Sequence, residues 1–146
     1  MVRTEPGRNF AATLFQVLLW AQGVYYLATG IWPLLSIKTF QMVTGPKTDH
    51  MVTGRDADHW LVMTVGVLVT AIALALLAGA LRKQRPTELI VLAIGSAVGL
   101  TAIDLIYVAR GVIAPIYLVD AALECLLLIA WVVVATHRMF GRDEAR

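Results

Sequence analysis

The chain has 146 residues, of which 59% are hydrophobic and only 15% charged, with a mean hydropathy of +0.75. This composition excludes an ordinary soluble domain and places the chain in the membrane class. A net charge of +2 and a pI near 8.9 do not point to nucleic acid, because the basic residues cluster beside apolar runs, where they act as topology signals.

The amino terminus carries Arg3 and Arg8 ahead of an apolar run from Phe10 to Leu35. That run is longer than the core of a secretory signal and long enough to span a bilayer, so a retained first helix is expected over Phe10–Ile31, closed by Gly30 and Pro33. Just beyond it, Leu34, Leu35, Ile37, Phe40 and Val43 are spaced for a short amphipathic turn lying on the outer membrane surface, with Ser36 as its cap. An outer loop is expected over 36–59. It holds a tandem repeat, Met42 to His50 followed by Met51 to His59, in which six of nine positions match. So short a unit reads as loop duplication rather than a solenoid. Duplication of one Asp-His pair also explains Asp49, His50, Asp56, Asp58 and His59 without a metal, and no metal site or cofactor is expected.

Three further spans follow, Trp60–Leu81, Leu89–Val108 and Ile116–Thr136, each near the roughly 20 apolar residues a crossing helix requires. Arg82 to Pro86 and Gly111 to Pro115 make the last two connections short hairpins. The expectation is one all-α membrane domain over 1–146, an integral four-helix bundle. Eight Lys and Arg residues fall on the side of the termini and the 82–85 turn, against four on the other side, which places both termini in the cytoplasm. Tyr25, Tyr26, Trp32, Trp60, Tyr107 and Tyr117 gather toward the outer ends of the spans, where interfacial anchoring accounts for most of them.

Small residues at four-residue spacing, Ala71, Ala75 and Gly79 in the second span and Gly95 and Gly99 in the third, suggest a close contact between these two helices. The single cysteine, Cys125, lies in an apolar stretch, which excludes an intrachain disulfide and suits a packing residue.

The sharpest chemical feature is three carboxylates inside predicted spans: Asp104, Asp120 and Glu124. An Asp at a helix centre costs about 2.5–3.5 kcal/mol on insertion scales, so each needs a partner or water. Asp120 and Glu124 are four apart and share a face with Tyr117 and Trp131, while Asp104 shares a stripe with Ala93, Ala97 and Tyr107. With the third helix running outward and the fourth inward, Asp104 and Asp120 lie at similar depth and Glu124 one turn deeper. Gln22, Tyr26 and Thr29 occupy the matching half of the first helix. A polar pocket open to the outside is therefore expected, with Asp104, Asp120, Glu124, Gln22 and Tyr26 as ligand- or ion-binding residues and Arg110 neutralising one carboxylate at the rim. Three nearby carboxylates in a low dielectric cannot all ionise cheaply, which suits them to a proton, a cation or a small polar ligand.

The segment Gly30-Ile31-Trp32-Pro33-Leu34, followed by Phe40, Val43-Thr44-Gly45-Pro46-Lys47-Thr48-Asp49 and later Trp60-Leu61-Val62, resembles small four-helix bacterial membrane proteins of unassigned function. More distantly, the layout is similar to DoxX-like membrane proteins. The resemblance implies a multi-pass protein of a bacterial inner membrane and carries over no catalytic residue; the second copy of the repeat departs from its pattern.

Three functions remain in view. The first is ligand, proton or cation binding in a transport or accessory subunit. Four helices are few for a secondary transporter, so transport would call for a homo-oligomer or a larger membrane partner besides the lipid bilayer. The second is a structural or assembly protein whose carboxylates only fasten helices. The third is a membrane isomerase using paired carboxylates as acid and base.

Overall fold

A computed structural model describes residues 6–45, 59–82 and 86–143, and side chains over 11–45, 59–82 and 86–136. The described residues form five helices and no strand: α1 (Pro6–Leu35), α2 (Ile37–Thr44), α3 (His59–Leu81), α4 (Thr87–Ala109) and α5 (Tyr117–Asp143). Four are long and apolar enough to cross a membrane, over Ala11–Leu35, His59–Leu81, Thr87–Ala109 and Tyr117–Thr136. Most of the tandem repeat, with Asp49, His50, Asp56 and Asp58, falls outside the described residues, as do residues 1–5, 83–85 and 144–146.

The boundaries depart from the expected ones most in α5, which runs on from Thr136 to Asp143, and in α1, which continues through Gly30 and Pro33 to Leu35. Pro33 falls in the last turn, where its missing N–H leaves the Thr29 carbonyl without its ladder bond and only two residues follow before the helix ends. Its ring is buried and packs over Gly66 of α3. Gly30 likewise serves contact rather than termination. A Cβ on Gly30 would stand 2.8 Å from the Thr70 backbone nitrogen, and one on Gly66 would stand 2.8 Å from the Gly30 carbonyl oxygen. The two helices thus meet backbone to backbone, the close approach that glycine permits in lipid.

The buried side of α3 is Gly66, Val69, Ala73, Leu76 and Ala80, spaced three and four apart as in a helix–helix seam. This corrects the expected contact through Ala71, Ala75, Gly95 and Gly99. Ala71, Ala75, Gly95 and Gly99 are exposed, and nothing lies within 4 Å of where a Cβ on Gly95 or Gly99 would sit. Gly79 alone of that set is packed, against Leu89. α3 carries small residues on several faces, so four-residue spacing does not single out the one that α1 covers. The principal packing pairs are α1 with α3 and α4 with α5, joined by α1 against α5.

The short α2 forms as expected. Ser36 accepts a hydrogen bond from the Thr39 backbone N–H at 3.4 Å, the usual capping arrangement. Trp32 donates through Nε1 to the Thr39 hydroxyl at 3.0 Å and meets the Phe40 ring edge-on at 5.7 Å. Thr44, in the last turn of α2, donates its hydroxyl to the Phe40 carbonyl at 2.8 Å.

Between α4 and α5 the chain reverses at Gly111, whose φ of 67° is the one positive value among the described residues. Gly111 donates to the Val108 carbonyl at 2.9 Å and Val112 donates to the Tyr107 carbonyl at 2.9 Å. These two bonds close a Schellman turn with glycine at its left-handed position. The tight reversal sets α4 and α5 antiparallel, with Asp104 five residues before the end of α4 and Asp120 three residues into α5.

Candidate functional site

Polar side chains from α1, α4 and α5 converge between the helices in two tiers. The deeper tier centres on Gln22, which is fully buried. Its Nε2 donates to the Ala93 carbonyl of α4 at 2.9 Å, and its Oε1 accepts from Trp131 Nε1 of α5 at 2.7 Å. One amide therefore bonds two helices, using the donor and acceptor capacity it must satisfy in an apolar interior. Trp131 is also fully buried and meets Phe15 edge-on at 5.6 Å and 88°.

The upper tier, toward the α2 end, holds the carboxylates. Tyr26 is fully buried, and its hydroxyl donates to Glu124 Oε2 at 3.0 Å. The hydroxyl of the neighbouring Tyr25 donates to Asp120 Oδ1. Thus adjacent tyrosines of α1 hold two carboxylates one turn apart on α5. Asp104 faces the same interior from α4, along a buried stripe of Ala93, Ala97, Thr101 and Asp104. The small side chains of Ala93 and Ala97 let α4 approach closely enough to bring these groups together.

Three oxygens in this interior have no hydrogen-bond partner: Asp104 Oδ2, Glu124 Oε1 and Thr101 Oγ1. Their residues are all deeply buried, with Asp104 6% exposed and Glu124 fully enclosed. Unpaired buried carboxylate oxygens are expensive, and the cost is greater in a membrane interior. Thr101 and Asp104 stand on the buried face of α4 and Glu124 on the buried face of α5. The four further polar groups nearest them, Gln22, Tyr25, Tyr26 and Ser96, already have partners of their own.

Of the residues expected at the site, Asp104, Asp120, Glu124, Gln22 and Tyr26 stand within the two tiers. Arg110 does not join them. It is exposed, and its guanidinium lies over the Tyr107 ring, 5.9 Å from the centroid. The reversal at Gly111 carries it past the end of α4, away from the buried stripe. Thr101 and Tyr25 were not anticipated. Thr101 stands one turn before Asp104 on the Ala93–Ala97 stripe, and that spacing alone would have placed it there. Tyr25 reads in sequence as an interfacial anchor, and nothing local tells it from Trp32 or Trp60, which are exposed.

Among the described residues no three His, Cys, Asp or Glu side chains are placed to hold a metal ion. The carboxylates open onto neither of two surface depressions. One lies between α1 and α5 and is apolar; the other is a recess around Thr87, Glu88, Val91 and Leu92. No family model, curated protein or solved structure matches the chain.

Proposed function

We propose that this chain is a small multi-pass protein of a bacterial inner membrane, a four-helix bundle with both termini cytoplasmic, that binds a proton-bearing ligand through the acceptors of Asp104, Glu124 and Thr101. The observation that supports this is the set of unpartnered buried oxygens, Asp104 Oδ2, Glu124 Oε1 and Thr101 Oγ1. Two of the three belong to groups that only accept when ionised, so the complementary ligand is a donor: a bound proton or a small ammonium-type cation. Transport or accessory work would follow from such binding, in a homo-oligomer or with a larger membrane partner.

The fastening reading has its own supporting geometry. Tyr25 with Asp120 and Tyr26 with Glu124 tie α1 to α5 directly, and these bonds use one oxygen of each carboxylate. The two roles divide by atom: Asp120 Oδ1 and Glu124 Oε2 hold the helices, while Asp104 Oδ2 and Glu124 Oε1 are left for a ligand.

The test is unfolding stability of the full chain in lipid nanodiscs with methylammonium, ammonium, sodium and potassium salts at matched ionic strength. Ligand at ten times its dissociation constant stabilises by about 1.4 kcal/mol. Methylammonium or ammonium should stabilise wild type by that order, and Asp104→Asn should fold yet lose the response. Equal response to all four cations, or no response to any of them together with the same dependence of stability on pH in wild type and Asp104→Asn, would reject the reading.

A further inference from the structure

Glu124 is fully enclosed, with one oxygen bonded to Tyr26 and the other, Oε1, without a partner. A proton held there has to reach it along some path, and the inward face of α5 shows from which end. Toward the middle of the span that face continues from Glu124 to Leu127 and the fully buried Trp131, whose indole N–H is already bonded to Gln22. Neither can relay a proton, since leucine has no polar atom and an indole only donates. Toward the α2 end the same face carries Asp120, one turn before Glu124 and half-buried where Glu124 is enclosed.

Residues four apart on a helix share a face, with Cβ atoms about 5–6 Å apart. Two carboxyl groups so placed can exchange a proton directly or through one water. Asp120 stands about 5 Å of helix rise into α5 and Glu124 about 6 Å beyond it, so the pair steps from the edge of the span into its interior. Tyr25 and Tyr26, neighbours on α1, donate to Asp120 Oδ1 and Glu124 Oε2. Each bond occupies one oxygen and leaves the second oxygen of each carboxylate without a hydrogen bond among the described residues. The other titratable groups of this interior are placed differently: Tyr117, one turn before Asp120, is a half-buried phenol, and Asp104, on α4, is only 6% exposed and so does not stand at an entrance.

We propose that Asp120 is the entry residue of the buried site, taking up a proton at the α2 end of the bundle and passing it to Glu124 Oε1. The proton arrives from water and neutralises the Asp120 carboxylate. On transfer it neutralises Glu124 and restores the charge of Asp120, so the net step carries one proton one turn inward. The inference rests on the donor-binding reading for its destination, Glu124, and adds the route, which that reading leaves open. It gives Asp120 a role beyond its bond to Tyr25.

The experiment is rapid-mixing infrared spectroscopy of the full chain in lipid nanodiscs, following hydrogen–deuterium exchange of the protonated Glu124 carboxyl, whose C=O band is the one that Glu124→Gln removes. Each variant is measured at the acidity where that band is half-developed, which corrects for any change in proton affinity. Asp120→Asn should slow the exchange about a hundredfold, the low end of what a positioned proton carrier contributes, while Asp120→Glu and Asp104→Asn should keep the wild-type rate. A purely fastening Asp120 predicts the opposite sign, because losing its bond to Tyr25 loosens α1 from α5 and admits water. Tyr25→Phe, which removes that bond and keeps the carboxylate, should exchange no slower than wild type. Asp120→Asn exchanging as fast as wild type or faster, slowing by Asp104→Asn in its place, or the lack of any band that Glu124→Gln removes would each overturn the proposal. A methylammonium response lost in Asp104→Asn, with unchanged exchange in Asp120→Asn, would reject this route and leave the binding site standing. Slowed exchange in Asp120→Asn, with none of the four cations active and the same pH dependence of stability in wild type and Asp104→Asn, would do the reverse.

Discussion

Replacing Gln22 with Met tests whether one buried amide holds α4 and α5 to α1. Methionine keeps the length and much of the volume of glutamine, so packing changes little while both hydrogen bonds vanish. The two bonds are not equally missed. The Ala93 carbonyl still accepts from Ser96 Oγ at 3.1 Å and from its own helix. The Trp131 indole N–H, bonded to Gln22 Oε1 at 2.7 Å and fully buried, loses its partner outright. An orphaned buried donor costs about 1–3 kcal/mol. Interhelical hydrogen bonds in lipid average only about 0.6 kcal/mol, with a maximum near 1.7. Together these place Gln22→Met at about 2 kcal/mol of destabilisation. The assay is reversible unfolding in bilayers for wild type, Gln22→Met, Trp131→Phe and the double variant. Trp131→Phe removes the donor and some volume, so the double-mutant cycle isolates the bond. The expected coupling is about 0.6–1.7 kcal/mol; a value within about 0.3 kcal/mol of zero would refute the bridging role of Gln22.

Three other substitutions follow from the packing. Gly30→Ala should destabilise by about 1–3 kcal/mol, because its methyl meets the Thr70 backbone at 2.8 Å, whereas Gly95→Ala enters open space and should be neutral or stabilise by up to about 1 kcal/mol through helix propensity; thermal unfolding of the two variants side by side checks the order. Tyr26→Phe leaves both Glu124 oxygens without a partner and should cost about 1–2 kcal/mol, an effect that should shrink when Glu124→Gln is present in the same unfolding assay.

Spans were legible because a long apolar run has few other readings, and the structure moves their edges by only a few residues. The cap at Ser36 was legible for the same local reason: a serine ahead of an amphipathic turn has one common use. The buried carboxylates announced themselves by chemical contrast, since Asp104 and Glu124 are costly anywhere in an apolar helix unless something pays. Helix pairing was less accessible. Gly30 reads as a terminator and Gly95 as a packing motif, yet the first lies against α3 and the second faces outward. Spacing gives the faces of a helix but not which face meets a neighbour, and that choice depends on the whole set of helices. Tyr25 was missed for a related reason: only the partner on α5 distinguishes a tyrosine that anchors at an interface from one that holds Asp120.

The most direct measurement is an experimental structure of the protein in a lipid nanodisc, at a resolution that shows single bound atoms. The account predicts density between α1, α4 and α5 within hydrogen-bonding distance of Asp104 Oδ2 and Glu124 Oε1, strengthened by methylammonium and lost in Asp104→Asn. If both oxygens are instead bonded to side chains of the protein itself, with the interior closed and unchanged by methylammonium, the carboxylates are fasteners and the binding account is contradicted.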